Sequence, residues 1–133
     1  MVEKNGMLRG GKETILLVDD EDLIRQLGEE LLSKAGYTVL TAANAEMGLE
    51  LYCRKRDQVD LIILDMIMPG MGGKRFLEEV RHVNPKVKVI VSSGHSNYDL
   101  LGKFVESRWV TSIKKPYRIH EMLDAIRETL DKA

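Results

Sequence analysis

Short apolar runs alternate with longer amphipathic segments along most of this 133-residue chain. Five of the runs are each predicted to form a strand, because a strand buried in a parallel sheet reads as a nearly continuous apolar stretch. They cover residues 14–19, 37–42, 59–65, 87–91 and 110–113. Residues 1–13 contain three glycines and no apolar period, which predicts a flexible leader ahead of one domain at 14–133.

The segments after these runs have apolar residues at helical spacing. The first begins at the acidic residues 20–22 and ends at Gly36, and Asn44 is suited to cap the second. The third ends at Asn84-Pro85, the fourth covers about 97–107, and the last begins near Arg118. The predicted core-facing residues of the first two helices are Leu23, Ile24, Leu27, Leu31, Leu32, Ala35, Leu49, Tyr52 and Cys53.

Strict alternation of strands and helices predicts an α/β domain with a parallel sheet and helices on both of its faces. The runs at 14–19, 59–65 and 87–91 are almost entirely apolar, which is typical of central strands. The other two runs are shorter or more polar and are predicted to lie at the edges. The strand order 2-1-3-4-5 satisfies both conditions, and it predicts a binding site at the carboxyl ends of strands one and three.

Composition excludes several classes of function. The 20 basic and 21 acidic residues give a net charge of −1, so we expect no direct contact with nucleic acid. No apolar run approaches the roughly 20 residues of a membrane span, and the polar start is unlike a signal peptide. The single cysteine, Cys53, excludes an internal disulfide framework. We therefore expect a cytoplasmic domain without an effector unit of its own.

Polar side chains with complementary chemistry follow the predicted strands. Asp19 and Asp20 end the first and Asp65 the third, while Ser93 follows the fourth and Lys115 the fifth. Carboxylates gathered at one sheet edge repel one another unless a cation lies between them, and Mg²⁺ prefers oxygen ligands. The pattern predicts phosphoryl transfer, with Asp65 as the nucleophile and Asp19 and Asp20 as metal ligands. Lys115 and Ser93 are predicted to bind the phosphoryl oxygens.

Four segments that carry these residues resemble the receiver domain of two-component response regulators. They read ILLVDDE (15–21), LIILDMIMPGMGG (61–73), VIVSSG (89–94) and KKPY (114–117). The resemblance implies a flavodoxin-like (βα)₅ fold, a three-layer sandwich around the parallel sheet. It also implies a phosphoacceptor domain of a phosphorelay, with self-catalysed phosphotransfer and autodephosphorylation rather than turnover of a substrate.

The resemblance assigns the acidic residues individually. Asp65 matches the phosphoacceptor of the family, and Asp19 and Asp20 match its acidic pair. In receivers the metal is Mg²⁺, and the backbone carbonyl two residues after the phosphoacceptor is a further ligand, here that of Ile67. The implied Mg²⁺ ligands are therefore Asp19, Asp20, Asp65 and the carbonyl of Ile67.

The resemblance also assigns the residues of the conformational switch. Ser93 matches the conserved hydroxyl residue and Lys115 the invariant lysine, and Pro116 follows a peptide bond that is often cis. Receivers commonly have Tyr or Phe at the position of Ser112, where it couples to that hydroxyl. The chain departs from the family here, so the usual coupling is not predicted for it.

The implied partners are a phosphoryl donor and a downstream protein that responds to the signal. The donor is a histidine kinase or a phosphotransfer protein. Partners are predicted to dock on the face of the predicted fourth helix, fifth strand and fifth helix, or near the first helix, and the downstream protein on the former. We expect no membrane contact, and a monomer or a phosphorylation-dependent dimer. A stand-alone regulator and the receiver of a hybrid sensor histidine kinase both fit the sequence.

Two other functions are compatible with parts of the pattern. A phosphatase with an aspartyl nucleophile usually carries a second Asp two residues after the first, but that position is Ile67 here. A receiver fold used only for binding would not need all of the site residues, and Asp19, Asp20, Asp65, Ser93 and Lys115 are all present. The phosphoacceptor hypothesis therefore explains more of the sequence than either alternative.

Overall fold

The structure, a computed structural model, describes residues 9–66, 70–94 and 108–132. Its strands form one parallel sheet in the order β2-β1-β3-β4-β5. They are β1 (Thr14–Val18), β2 (Thr38–Ala42), β3 (Leu61–Asp65), β4 (Val89–Ser93) and β5 (Val110–Lys114). The predicted α/β class and strand order are confirmed, including the edge positions of the two more polar strands. The architecture is the flavodoxin-like fold.

Four helices surround the sheet in the described part of the chain. They are α1 (Asp22–Lys34), α2 (Ala45–Lys55), α3 (Gly72–Val83) and α4 (Ile119–Leu130). Asn44 caps α2 as predicted, because its side chain accepts a hydrogen bond of 2.8 Å from the backbone N–H of Met47. The helix predicted over 97–107 lies outside the described residues. None of the helices that the structure describes is long and apolar enough to cross a membrane.

The core has two parts, one on each face of the sheet. Alternate residues of a strand point to opposite faces, so Leu16 and Val18 of β1 pack with α2 and α3, whereas Ile15 and Leu17 pack with α1 and α4. The central strand β3 is buried along its whole length. Because all strands run parallel, their carboxyl ends lie at one edge of the sheet, which we call the carboxyl edge.

The predicted buried stripe of α1 is wrong for its first half. Leu23, Ile24 and Leu27 are exposed by 74%, 40% and 50%, whereas Leu32 is buried. A cavity of about 450 Å³ between α1 and α4 separates this half of α1 from the opposing helix. A methyl group on Gly28 would come within 2.9 Å of Leu17, so the helix approaches the sheet at Gly28 instead.

The prediction that Cys53 belongs to the core is also wrong, because Cys53 is exposed. Successive residues of a helix point about 100° apart, so only one of two neighbours faces a narrow contact. In α2 that residue is Tyr52, which is 1% exposed and whose hydroxyl accepts a hydrogen bond of 3.1 Å from Asn84 Nδ2.

The described residues before β1 lie against α1 and α4. The N–H of Gly11 donates to the carbonyl of Ala35 at 3.2 Å. Arg127 of α4 donates to the carbonyl of Gly10 and forms an ion pair with Glu13. The domain boundary at residue 14 stays a prediction, since residues 1–8 are outside the described part of the chain.

Candidate functional site

Three carboxylates meet at the carboxyl edge. Asp19 and Asp20 directly follow β1, and Asp65 is the last residue of β3, the strand hydrogen-bonded to β1. Their side chains each offer an oxygen within 4.8 Å of those of the other two. Asp19 is 5% and Asp65 6% exposed, whereas Asp20 is more open to solvent. Such a cluster is costly unless a cation compensates its charge.

The backbone around Asp19 holds its carboxylate in place. The N–H of Glu21 donates to Oδ1 of Asp19 at 2.9 Å, and the N–H of Asp19 itself donates to the carbonyl of Ala42. Arg25, one turn into α1, donates to the carbonyl of Asp19 at 2.8 Å and pairs with Asp22. Arg25 is not among the site residues predicted from the sequence, although a basic residue one turn after an acidic stretch is a recognisable signal.

Lys115 reaches the cluster from the opposite side. Its ammonium nitrogen lies 3.5 Å from Oδ1 of Asp65. The backbone N–H of Lys115 donates to the carbonyl of Ser93 at 2.8 Å, which fixes the start of the segment after β5. The peptide bond between Lys115 and Pro116 is cis.

Ser93 ends β4 and is almost completely buried, with 1% of its surface exposed. Its hydroxyl oxygen finds no hydrogen-bond partner among the residues that the structure describes. A buried hydroxyl in this condition is unfavourable, and a ligand oxygen would relieve it. Ser112 is half-buried on β5, where it is in register with Val91. Ile67, the remaining predicted ligand, lies outside the described residues.

Tyr117 is a further residue of the site to which the sequence analysis gave no role. It lines the cavity between α1 and α4, which reaches Asp19, Asp65 and Lys115 at one end. Burial raises the pKa of Tyr117 above its ordinary value, and the charges of Asp19 and Asp65 raise it further. The phenol is therefore neutral at pH 7. Its position in the KKPY segment was the available signal.

The assembled groups are suited to holding a hard cation and a phosphoryl group. Carboxylate oxygens are the ligands that Mg²⁺ prefers, and the three acidic side chains leave a compact anionic site for it. The ammonium of Lys115 and the hydroxyl of Ser93, which has no partner among the described residues, are donors for phosphoryl oxygens. Asp65 adjoins both the carboxylates that could hold the cation and the donors for the phosphoryl group, because it belongs to the acidic cluster and lies beside Lys115.

Comparison with known proteins agrees with this geometry. The family model of the response regulator receiver domain matches residues 15–127. Sporulation initiation phosphotransferase F of Bacillus subtilis is 34% identical over 118 residues, which are 89% of this chain and 94% of that protein. Response regulator protein TrrA of Thermotoga maritima, solved in complex with Mg²⁺ and BeF, is 30% identical with a TM-score of 0.75. That match covers 88% of this chain and 98% of the other.

One longer relative matches this chain over only a small part of its own length. Sensor kinase CckA of Brucella abortus is 32% identical over 122 residues, which are 92% of this chain and 13% of the kinase. The chain therefore spans only about an eighth of that protein's length. Receiver domains of this kind occur both alone and within larger signalling proteins.

Proposed function

This chain belongs to the response regulator receiver family, the phosphoacceptor domains of two-component signalling, and we propose that Asp65 is its phosphoacceptor residue. The donor in this proposal is a phosphohistidine of a histidine kinase or of a phosphotransfer protein. The observation that carries the proposal is the position of the Asp65 carboxylate, which adjoins Asp19 and Asp20 and lies 3.5 Å from the ammonium of Lys115.

The reaction is an in-line displacement at phosphorus. A carboxylate oxygen of Asp65 forms the new O–P bond, while the P–N bond to the donor imidazole breaks and its electron pair returns to the nitrogen. Lys115 neutralises charge on the phosphoryl oxygens, and the hydroxyl of Ser93 donates to one of them. Protein groups in such transfers act mainly by positioning and charge stabilisation. Later attack of water at phosphorus breaks the P–O bond to Asp65, which releases inorganic phosphate and returns Asp65 to a carboxylate; this is the proposed autodephosphorylation.

Mg²⁺ is the proposed cofactor. Asp19, Asp20 and Asp65 would hold it, together with the backbone carbonyl of Ile67. When bound, the ion supplies the positive charge that lets an anionic nucleophile approach an anionic phosphoryl group. The contribution of the chain is to hold the carboxylates within 4.8 Å of one another, with Asp19 fixed by Glu21 and Arg25.

The first half of α1 is the proposed docking surface for the donor. Leu23, Ile24 and Leu27 form an exposed apolar patch on α1, which begins two residues after Asp20. Exposed apolar patches of this kind mark sites of protein association. A donor domain seated there would bring its histidine to Asp65 without covering α2 or α3.

Phosphorylation is proposed to change the population of a second conformation that a downstream protein recognises. Ser93 turns its hydroxyl toward the phosphoryl group, and Ser112 replaces the aromatic partner that other receivers carry. The output face of β5, α4 and the helix predicted over 97–107 remains a prediction, as does dimer formation on phosphorylation. We propose a cytoplasmic location, and either a stand-alone regulator or a hybrid kinase as the context.

Mass spectrometry after treatment with acetyl phosphate and Mg²⁺ tests the proposal. The wild-type chain should gain one phosphoryl group, and the Asp65→Asn variant should gain none. Asp57→Asn is the matched control, because Asp57 is an exposed acidic residue in the turn after α2, outside the cluster. Equal phosphorylation of Asp65→Asn and wild type would overturn the assignment of Asp65.

A further inference from the structure

Met71, the N-cap residue of α3, is held by a side chain from another helix. Glu46, in the first turn of α2, accepts a hydrogen bond of 3.1 Å from the backbone N–H of Met71. Met71 immediately precedes α3, whose own first turn contains no acidic residue and whose N-cap side chain makes no capping hydrogen bond. The first N–H groups of a helix lack intrahelical partners and need hydrogen-bond acceptors from elsewhere. Glu46 therefore supplies from α2 the hydrogen-bond acceptor that the start of α3 does not provide for itself.

Two glycines make this arrangement sterically possible. Gly70 has a φ of +78°, and a Cβ at this position would lie 2.8 Å from Oε2 of Glu46. At Gly73 a Cβ would lie 2.5 Å from the carbonyl oxygen of Met66, to which the N–H of Gly73 donates at 3.2 Å. The start of α3 is thus closed onto the residue directly after Asp65.

From these contacts we propose that Glu46 is a positioning residue for the phosphoryl-transfer reaction. Its carboxylate fixes Met71, the start of α3 is fixed with it, and Gly73 then holds the backbone of Met66 next to Asp65. Small displacements of a nucleophile lower reaction rates strongly, because the attacking atom must be aligned with its target. This inference rests on the proposed role of Asp65, but the contact through which Glu46 acts can be tested separately.

A second hydrogen bond between α2 and α3 provides a matched control. Asn84 Nδ2, directly after α3, donates to the Tyr52 hydroxyl at 3.1 Å. Both hydrogen bonds join the same two elements, but this one lies at the opposite end of the helix pair from the carboxyl edge. Tyr52→Phe removes it, so this variant reports the effect of a loosened helix pair without a change at Met71.

The experiment compares Glu46→Ala, Glu46→Gln and Tyr52→Phe in the full chain. The first readout is the rate of phosphorylation by acetyl phosphate at saturating Mg²⁺. Glu46→Ala should lower this rate about threefold or more, which is the size expected for one lost hydrogen bond. Glu46→Gln keeps an acceptor oxygen while removing the charge, so it should stay close to wild type, as should Tyr52→Phe.

The second readout is amide hydrogen exchange of Met71 and Gly73 in the absence of Mg²⁺. These two amides should exchange faster in Glu46→Ala but not in Glu46→Gln. An unchanged phosphorylation rate and unchanged exchange in Glu46→Ala would overturn the inference. An equal effect in Glu46→Gln would overturn it as well, because it would indicate that only the charge matters. An equal effect in Tyr52→Phe would overturn it by indicating a general loosening of the helix pair. If wild type is not phosphorylated on Asp65, the proposed function fails, whereas the exchange measurement still decides whether Glu46 holds Met71.

Discussion

The ammonium nitrogen of Lys115 lies 3.5 Å from Oδ1 of Asp65, although the side chain of Asp65 is only 7% exposed and that of Lys115 is 32% exposed. A buried carboxylate is therefore paired with a lysine whose side chain remains partly exposed to solvent. This cation follows β5, an edge strand, whereas the carboxylate ends the central strand β3. Such a lysine can follow the charge of Asp65 when that charge moves onto a phosphoryl group.

The first prediction concerns this lysine. Lys115→Ala should lower the rate of phosphorylation by acetyl phosphate about a hundredfold, as expected for the loss of one group that stabilises transition-state charge. The rate can be followed by mass spectrometry of quenched samples. Lys114→Ala is the control and should remain within about twofold of wild type, as a surface change usually does. A Lys115→Ala variant that reacts as fast as this control would exclude Lys115 from the reaction.

A second prediction separates stability from function at Ser93. The Ser93 hydroxyl is buried without a partner in the described structure, so Ser93→Ala should leave the free energy of unfolding unchanged or raise it by about 1 kcal/mol. The same variant should be phosphorylated about tenfold more slowly, because a phosphoryl oxygen loses a hydrogen-bond donor. Urea unfolding and the acetyl phosphate assay measure the two effects. Marked destabilisation would mean that the hydroxyl has a structural partner.

The third prediction is that Mg²⁺ and the loss of a carboxylate affect stability in the same direction. Without Mg²⁺, Asp20→Asn should raise the free energy of unfolding by about 1 kcal/mol, because it relieves repulsion between like charges. Wild type should gain stability on addition of Mg²⁺ and return to its original value with EDTA, since a ligand stabilises the state that binds it. Asp20→Asn should gain less. Thermal unfolding checks this, with the exposed-site control Asp57→Asn expected to respond as wild type does.

The fourth prediction concerns acid stability, which depends on Glu13. Hydrogen bonding to the Arg127 guanidinium lowers the pKa of Glu13 from 4.5 to about 2. A carboxyl group with a lowered pKa in the folded state stabilises the fold above its unfolded pKa, and this contribution disappears as the pH falls from about 4.5 to about 2. Glu13→Gln should therefore cost on the order of 1 kcal/mol at pH 7, with allowance for solvent screening of a pair near the surface.

Urea unfolding at pH 7, 4 and 2.5 measures this dependence, and the difference between Glu13→Gln and wild type should shrink as the pH falls. Glu50→Gln is the control, because Glu50 forms only an exposed pair with Arg54 in the same helix. That pair is worth less than about 0.5 kcal/mol. A difference for Glu13→Gln that is constant with pH would contradict the lowered pKa.

The fifth prediction tests the apolar patch on α1. Leu23→Ser should change the free energy of unfolding by less than about 0.5 kcal/mol, because the side chain is 74% exposed. Phosphorylation by acetyl phosphate should be unaffected, whereas transfer from a phosphorylated donor protein should weaken about tenfold, the size of one lost anchor residue. Met47→Ser is the matched control, since Met47 is 51% exposed but lies on α2. Equal transfer to both variants would place the donor elsewhere.

The strand order was predictable because it depends on composition summed over whole strands. Central strands are buried on both sides and must be apolar along most of their length, as β3 is up to its last residue, Asp65, whereas the edge strand β2 keeps polar residues. Likewise the site residues stand at strand ends, where chain order and parallel topology together determine which side chains meet. Asp65 and Lys115 are 50 residues apart in the sequence, yet both follow from the same rule.

The errors in the predicted buried positions of α1 and α2 have a different cause. Periodicity gives the face of a helix that is apolar, but not how much of that face a neighbouring helix covers. Ile24 and Leu27 satisfy the period and remain exposed because a cavity separates the first half of α1 from α4. The contacts of Glu13 with Arg127 and of Glu46 with Met71 join distant segments through single side chains. Nothing in a local pattern reports such a pairing.

The two ends of the sheet carry different kinds of interaction, and this has a consequence for how substitutions combine. Asp65 and Lys115 belong to the carboxyl edge, whereas Glu13 and Arg127 form their ion pair next to the start of β1. A strand of five residues spans roughly 16 Å, which exceeds the distance over which substitutions usually influence one another. Changes at the two ends should therefore be thermodynamically additive, so that acid tolerance and phosphoryl chemistry can be adjusted independently within one small fold.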